Sequence, residues 1–228
     1  MIVIKHKKLR DILRVAVPAV LIPAILFLGV FIFDESRHIF VSLAVAVLSV
    51  VLFFCGFDRK KTGTRRLILI SVMIALSVVG RFFPLFKPVT AFAVITGVYF
   101  GAEAGFLTGS LSALISNFYF GQGPWTPFQM FAWGILGFFA GVLASPLKRH
   151  KMFLYVYGFL SGILFSLVMD IWTVLWAGGG FVLELYLAKI LTALPHTVLY
   201  AVSNVVFLLL FAKPFGEKLE RVKLKYGV

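Results

Sequence analysis

Polar side chains able to bind or relay are few in this 228-residue chain, and they stand inside or at the ends of long apolar stretches. Arg81 and Asn117 each lie near the end of one stretch. Asp170 has Ser166 and Thr173 on its own helical face, at i−4 and i+3. In the last stretch Lys189, His196 and Tyr200 share a face at i, i+7 and i+11, with Asn204 slightly off it. Groups of this kind at membrane depth cost free energy, so they face protein or water and mark functional candidates. Asp170 with His196 could relay a proton, or Asp170 could be the buried partner of Lys189 or His196. Support for a relay is thin, because Glu103 and Glu184 stand at the boundaries rather than at depth. A histidine metal site is not expected, since His196 has no second histidine within the stretches.

Three connecting segments are unlike hydrophilic loops. They run 81–88 (Arg-Phe-Phe-Pro-Leu-Phe-Lys-Pro), 117–130 (Asn-Phe-Tyr-Phe-Gly-Gln-Gly-Pro-Trp-Thr-Pro-Phe-Gln-Met) and 176–186 (Trp-Ala-Gly-Gly-Gly-Phe-Val-Leu-Glu-Leu-Tyr). An aromatic belt at the headgroup level accounts for part of this composition. It does not account for Gly121, Gly123, Pro124 and Pro127 interleaved with Gln122, Thr126 and Gln129. That mixture suits a shaped, mostly apolar pocket in which a few polar groups orient a ligand. The expected ligand set is Arg81, Lys87, Asn117, Tyr119, Gln122, Trp125, Thr126, Gln129, Asp170, Trp176, Lys189 and His196, with Trp125 as a principal wall. Gly178, Gly179 and Gly180 would let a loop move as a lid.

The elements that must hold these residues follow from composition. The chain is 61% apolar and only 14% charged, with mean hydropathy +1.02, which a soluble domain of this size could not bury. An all-α integral membrane protein is expected. Candidate spans are 15–33, 39–57, 67–83, 88–100, 104–120, 127–145, 152–177 and 188–212. With eight crossings and a cytoplasmic N-terminus, 18 of the 22 Lys and Arg fall inside and 4 outside. If the short segment 88–100 does not cross, the tally becomes 11 to 11, so the positive-inside rule favours eight crossings with both termini cytoplasmic. The net charge of +13 is thereby assigned to membrane orientation and lipid headgroups, not to nucleic acid.

The basic loop 58–66 divides the chain. Residues 1–64 form a transmembrane hairpin and its loop, 65–212 a six-span core with nearly all the polar residues, and 213–228 an amphipathic cytoplasmic tail on the membrane surface. Gly101, Gly105 and Gly109 at i+4, continued by Ser112 and Ser116, and Gly134, Gly137 and Gly141 in the next span, are read as close helix packing. Ser71 and Ala75 form a smaller patch that could face a partner membrane protein. Lone Cys55 excludes a disulfide scaffold. No P-loop, H-E-x-x-H or G-x-S-x-G is present, so the chain is not expected to be an enzyme.

Several of these stretches resemble the substrate-binding S components of energy-coupling factor (ECF) vitamin transporters. They are Arg65–Gly80, Pro88-Val-Thr-Ala-Phe-Ala-Val-Ile-Thr-Gly, and Gly101-Ala-Glu-Ala-Gly-Phe-Leu-Thr-Gly. The loop Gly-Gln-Gly-Pro-Trp-Thr-Pro-Phe-Gln-Met resembles the cobalamin-type subgroup. The likeness covers about 65–212, and the hairpin 1–57 departs from the usual six spans. It implies capture of a vitamin, cobalamin foremost, at the outer face of a bacterial cell membrane. Riboflavin, thiamine, a queuosine precursor and folate are the alternatives within the family. It further implies assembly with a transmembrane coupling protein and two ATPases that hydrolyse ATP, no cofactor of the chain's own, toppling in the bilayer, and coupling-protein contact at Ser71 and Ala75. A stand-alone proton-coupled transporter using Asp170 and His196 is the alternative outside the family.

Overall fold

A computed structural model describes residues 6–32, 38–56, 64–83, 87–178 and 180–226. Most of the basic loop, residues 84–86 of the first connecting segment and Gly179 of the glycine triplet lie outside the described residues. Among those described, every regular element is helical. They are α1 (Lys7–Ala16), α2 (Ile22–Ile32), α3 (His38–Cys55), α4 (Thr64–Gly80), α5 (Val89–Phe100), α6 (Ala102–Phe120), α7 (Thr126–Val142), α8 (Ala144–Arg149), α9 (Lys151–Gly178) and α10 (Leu183–Tyr226). A π turn over Val17–Leu21 joins α1 to α2, where Pro18 cannot donate to the helix ladder. Among the described residues, four helical stretches are long and apolar enough to cross a membrane: Lys7–Phe31 (α1 through α2), His38–Cys55, Lys151–Ala177 and Leu183–Val222.

The segment 88–100 becomes α5, whose 12 residues rise only about 18 Å against a bilayer core of about 30 Å. It is buried at every position except half-buried Tyr99, so the protein rather than lipid surrounds it. The chain reverses at Gly101, whose φ of +96° disfavours any side chain. Gly97 and Gly105, four residues either side, then lie against each other, and α7 packs over both. A Cβ at Gly105 would run into the Gly137 carbonyl, and one at Gly109 into the backbone at Trp133. The glycine stripes are therefore the α5–α6–α7 interface, where backbones touch directly.

The tail is no separate helix: α10 continues through Pro195 and Pro214 to Tyr226. The N-terminal hairpin packs against the core. Val17, Ile22, Leu26, Val41, Val45 and Leu52 share one buried cluster with Phe106, Phe128 and Trp133 of the core. Ser49 and Ser110 hydroxyls lie 2.9 Å apart, and Arg14 pairs with Glu103 at 2.6 Å.

The bundle thus has two unlike ends. Arg14, Arg66, Glu103, Lys148 and Lys213 gather at the end where α5 meets α6. Arg81, Asn117 and the tryptophans Trp125, Trp172 and Trp176 gather at the other.

Candidate functional site

The aromatic end is built where α4 stops, α6 stops and α7 starts. Arg81 follows α4, its N–H donating to the Ser77 and Val78 carbonyls, and is 7% exposed. Its Nη1 donates to Ser116 Oγ and to Asn117 Oδ1, both at 2.5 Å. The guanidinium lies 5.0 Å from the Phe120 ring and 5.1 Å from the Trp133 ring, where the ring faces attract its charge. Asn117 Nδ2 donates to Thr126 Oγ1 and Gln129 Oε1, both at 2.9 Å. Thr126 Oγ1 also accepts the Gly123 N–H at 3.2 Å, and Gln122 Nε2 donates to the Leu114 carbonyl at 2.9 Å. Four of the expected site residues, Arg81, Asn117, Thr126 and Gln129, thus form one network that ties the start of α7 to α4, while Gln122 bonds separately to α6.

An aromatic ladder extends from it. Trp133 Nε1 donates to the Tyr200 hydroxyl at 2.6 Å, and that hydroxyl lies 2.7 Å from Thr90 Oγ1. Trp133 stacks on Phe165 at 4.8 Å, Phe165 lies 5.0 Å from Tyr200, and Tyr200 stacks on His196 at 6.3 Å. Beside it Trp125 meets Trp172 edge-on at 6.0 Å, and Trp172 stacks on Trp176 at 6.5 Å. Gly123 permits this, since a Cβ there would enter the Trp125 ring. Arg81 Nε, Gln122 Oε1 and Trp172 Nε1 are buried polar atoms at this end with no hydrogen-bond partner among the described residues. Such orphans are costly and are what a ligand would satisfy.

The described cavity here is small, about 20 Å³, between Leu26, Gly29, Val30, His38 and Val41 of the hairpin and Pro124, Pro127, Phe128, Trp172 and Trp176 of the core. Small-molecule sites measure roughly 300–1,000 Å³. This cavity is therefore far smaller than a small-molecule site.

The sequence matches the family of ECF-type riboflavin transporter S components over residues 61–221, well over half of the chain. The chain belongs to this S component family. No curated protein and no solved structure matches it significantly. An S component is the substrate-binding subunit of a transporter and not an enzyme. The matched family is of the riboflavin type, and the cobalamin-type subgroup expected from the 121–130 loop is not supported. From that loop and the start of α7, Pro124, Pro127 and Phe128 line the small cavity, whereas Trp125, expected as a principal wall, does not.

The remaining expected residues of this S component are more scattered. Asp170 is 6% exposed, and Lys189 and His196 are basic residues across the α9–α10 contact from it. No salt bridge or hydrogen bond joins it to either among the described residues. Lys189 is half-buried, and His196 is exposed apart from its stacking on Tyr200. Lys87 is half-buried in the α4–α5 connection, where burial and then the Arg81 charge push its ammonium pKa down. Tyr119 faces away: it is 72% exposed, with Phe82 at 4.6 Å and Phe120 at 5.1 Å. It follows Asn117 by two residues, about 200° around the helix.

Ser71 and Ala75 are both exposed on α4, beside exposed Ile68, Val72 and Val79. Thr90, Trp133, Phe165 and the hairpin's His38 join the aromatic end without having been singled out from sequence. Spacing held part of the signal, since Trp133 follows Gln129, and Tyr200 follows His196, by one helical turn.

Proposed function

We propose that this S component captures riboflavin at its aromatic end and delivers it into the cell through an ATP-driven ECF complex. The family match carries this reading. The site's chemistry supports it. A flat fused ring can stack among Trp133, Phe165, Tyr200 and the Trp125–Trp172–Trp176 group. Gln122 Oε1, Gln129 Nε2 and the Trp172 N–H offer donors and acceptors for the polar edge of the ring and for its hydroxylated chain. Binding needs this small cavity to widen. The stretch 181–199, comprising the approach to α10 and its first 17 residues, contains no buried residue, so it can swing with little loss of packing.

In this account the aromatic end faces outward and the basic end faces the cytoplasm of a bacterial cell, as the positive-inside rule orients it. The chain needs no cofactor of its own; two partner ATPases hydrolyse the ATP. The transmembrane coupling protein docks on the exposed face of α4 at Ser71 and Ala75, where small side chains permit close helix approach. The test is uptake by vesicles containing the chain, a coupling protein and two ATPases. Labelled riboflavin should accumulate only with ATP inside and all partners present. Accumulation driven by a proton gradient without ATP would overturn the proposal.

A further inference from the structure

The basic end holds a second cavity, of about 150 Å³, between the end of α5, α8, the start of α9 and the last turns of α10. Its floor is aliphatic. Its rim carries both signs of charge: Lys148, Lys151 and Lys213 against Glu217 and Glu220. Lys148 Nζ lies 3.4 Å from Glu220 Oε1 and 4.5 Å from the centre of the Tyr99 ring. Glu217 is held by Arg221 one turn along α10, at 3.9 Å. A cavity of this volume admits a group about the size of benzene.

The rim's chemistry narrows the occupant. A purely anionic headgroup would meet two carboxylates, and a simple cation would meet three ammonium groups. A headgroup with a phosphate and a primary ammonium a short distance apart satisfies both, with charge-assisted hydrogen bonds at each end. Its acyl chains would continue the aliphatic floor. The position also fits, because clusters of basic residues at the ends of spans lie at headgroup depth. We propose that this cavity binds the headgroup of a zwitterionic aminophospholipid, phosphate to Lys148, Lys151 and Lys213, ammonium to Glu217 and Glu220. The site is separate from the aromatic end and does not depend on which vitamin binds there.

The test exposes the purified full chain to mixed vesicles of equal phosphatidylethanolamine, phosphatidylcholine and phosphatidylglycerol, then counts retained lipid by native mass spectrometry. Phosphatidylethanolamine should dominate. The double variant Glu217→Gln/Glu220→Gln should lose that preference over phosphatidylcholine by roughly tenfold, the scale of one hydrogen bond to a charged group. Lys151→Gln/Lys213→Gln should weaken retention of both zwitterionic lipids. Melting in lipid-free detergent checks that each variant is folded. For a variant that is not, competition on the unaltered chain takes its place: soluble phosphoethanolamine should displace the lipid only at far higher concentration. Preference for phosphatidylglycerol, or no preference among the three, would overturn the proposal. Phosphoethanolamine binding as tightly as the lipid would also overturn it, by assigning the site to a free metabolite.

Discussion

Replacing Asn117 by leucine removes the hub of the aromatic end while roughly preserving side-chain volume. Asn117 is 1% exposed, accepts from Arg81, and donates to Thr126 and Gln129. The variant leaves Arg81 with Ser116 and two ring faces, and Thr126 with the Gly123 N–H. Interhelical hydrogen bonds in membrane proteins are worth about 0.6 kcal/mol on average and up to about 1.7. The bond to the buried guanidinium belongs at the upper end. Three together give about 2–4 kcal/mol. For a chain of this length that corresponds to a fall in melting midpoint of roughly 5–10 °C. Thermal unfolding of the detergent-purified protein reads it directly. Ligand affinity should fall at least about tenfold, because the loop carrying Trp125 loses its tie to α4. Asn117→Asp keeps an acceptor for Arg81 and should lose less stability than the leucine variant. An unchanged midpoint for Asn117→Leu would refute the claim that this network holds the site together.

Three further perturbations separate packing, binding and partner roles. Gly105→Val drives a side chain into the Gly137 backbone and should cost about 1–3 kcal/mol or prevent folding, whereas Gly180→Ala, with open space around it, should melt like the parent. Trp125→Ala should stay folded and lose roughly tenfold or more in ligand affinity by calorimetry; unchanged affinity would remove Trp125 from the wall. Ser71→Trp or Ala75→Trp should abolish ATP-dependent uptake in the full complex while the lone subunit binds within about twofold of the parent; loss of binding as well would indicate misfolding.

Much of the architecture was legible because its causes are local. Apolar length marked the helices, and i+4 glycines marked an interface where backbones touch. Arg81, Asn117, Thr126 and Gln129 were legible because polar groups beside apolar spans must converge to be satisfied. Tyr119 was not, because nearness along the chain is not nearness in space: two residues from Asn117 it lies on the opposite side of α6. Trp133 and Thr90 escaped notice because each looks like ordinary core until Tyr200, from a distant helix, meets both. The hairpin's part in the core depended on long-range contacts such as Ser49 with Ser110 and Arg14 with Glu103, which no local pattern encodes. The tail's continuity with α10 was hidden by Pro214, which reads as a helix end but is accommodated within the helix.

The most direct test is equilibrium titration of the purified lone chain with riboflavin, followed by flavin and tryptophan emission, with cobalamin as competitor. Stacking among Trp133, Trp125 and Trp172 predicts tight binding of one flavin per chain, quenching of both signals, and no displacement by cobalamin. A folded protein that ignores riboflavin, or that releases it when cobalamin is added, would contradict the account.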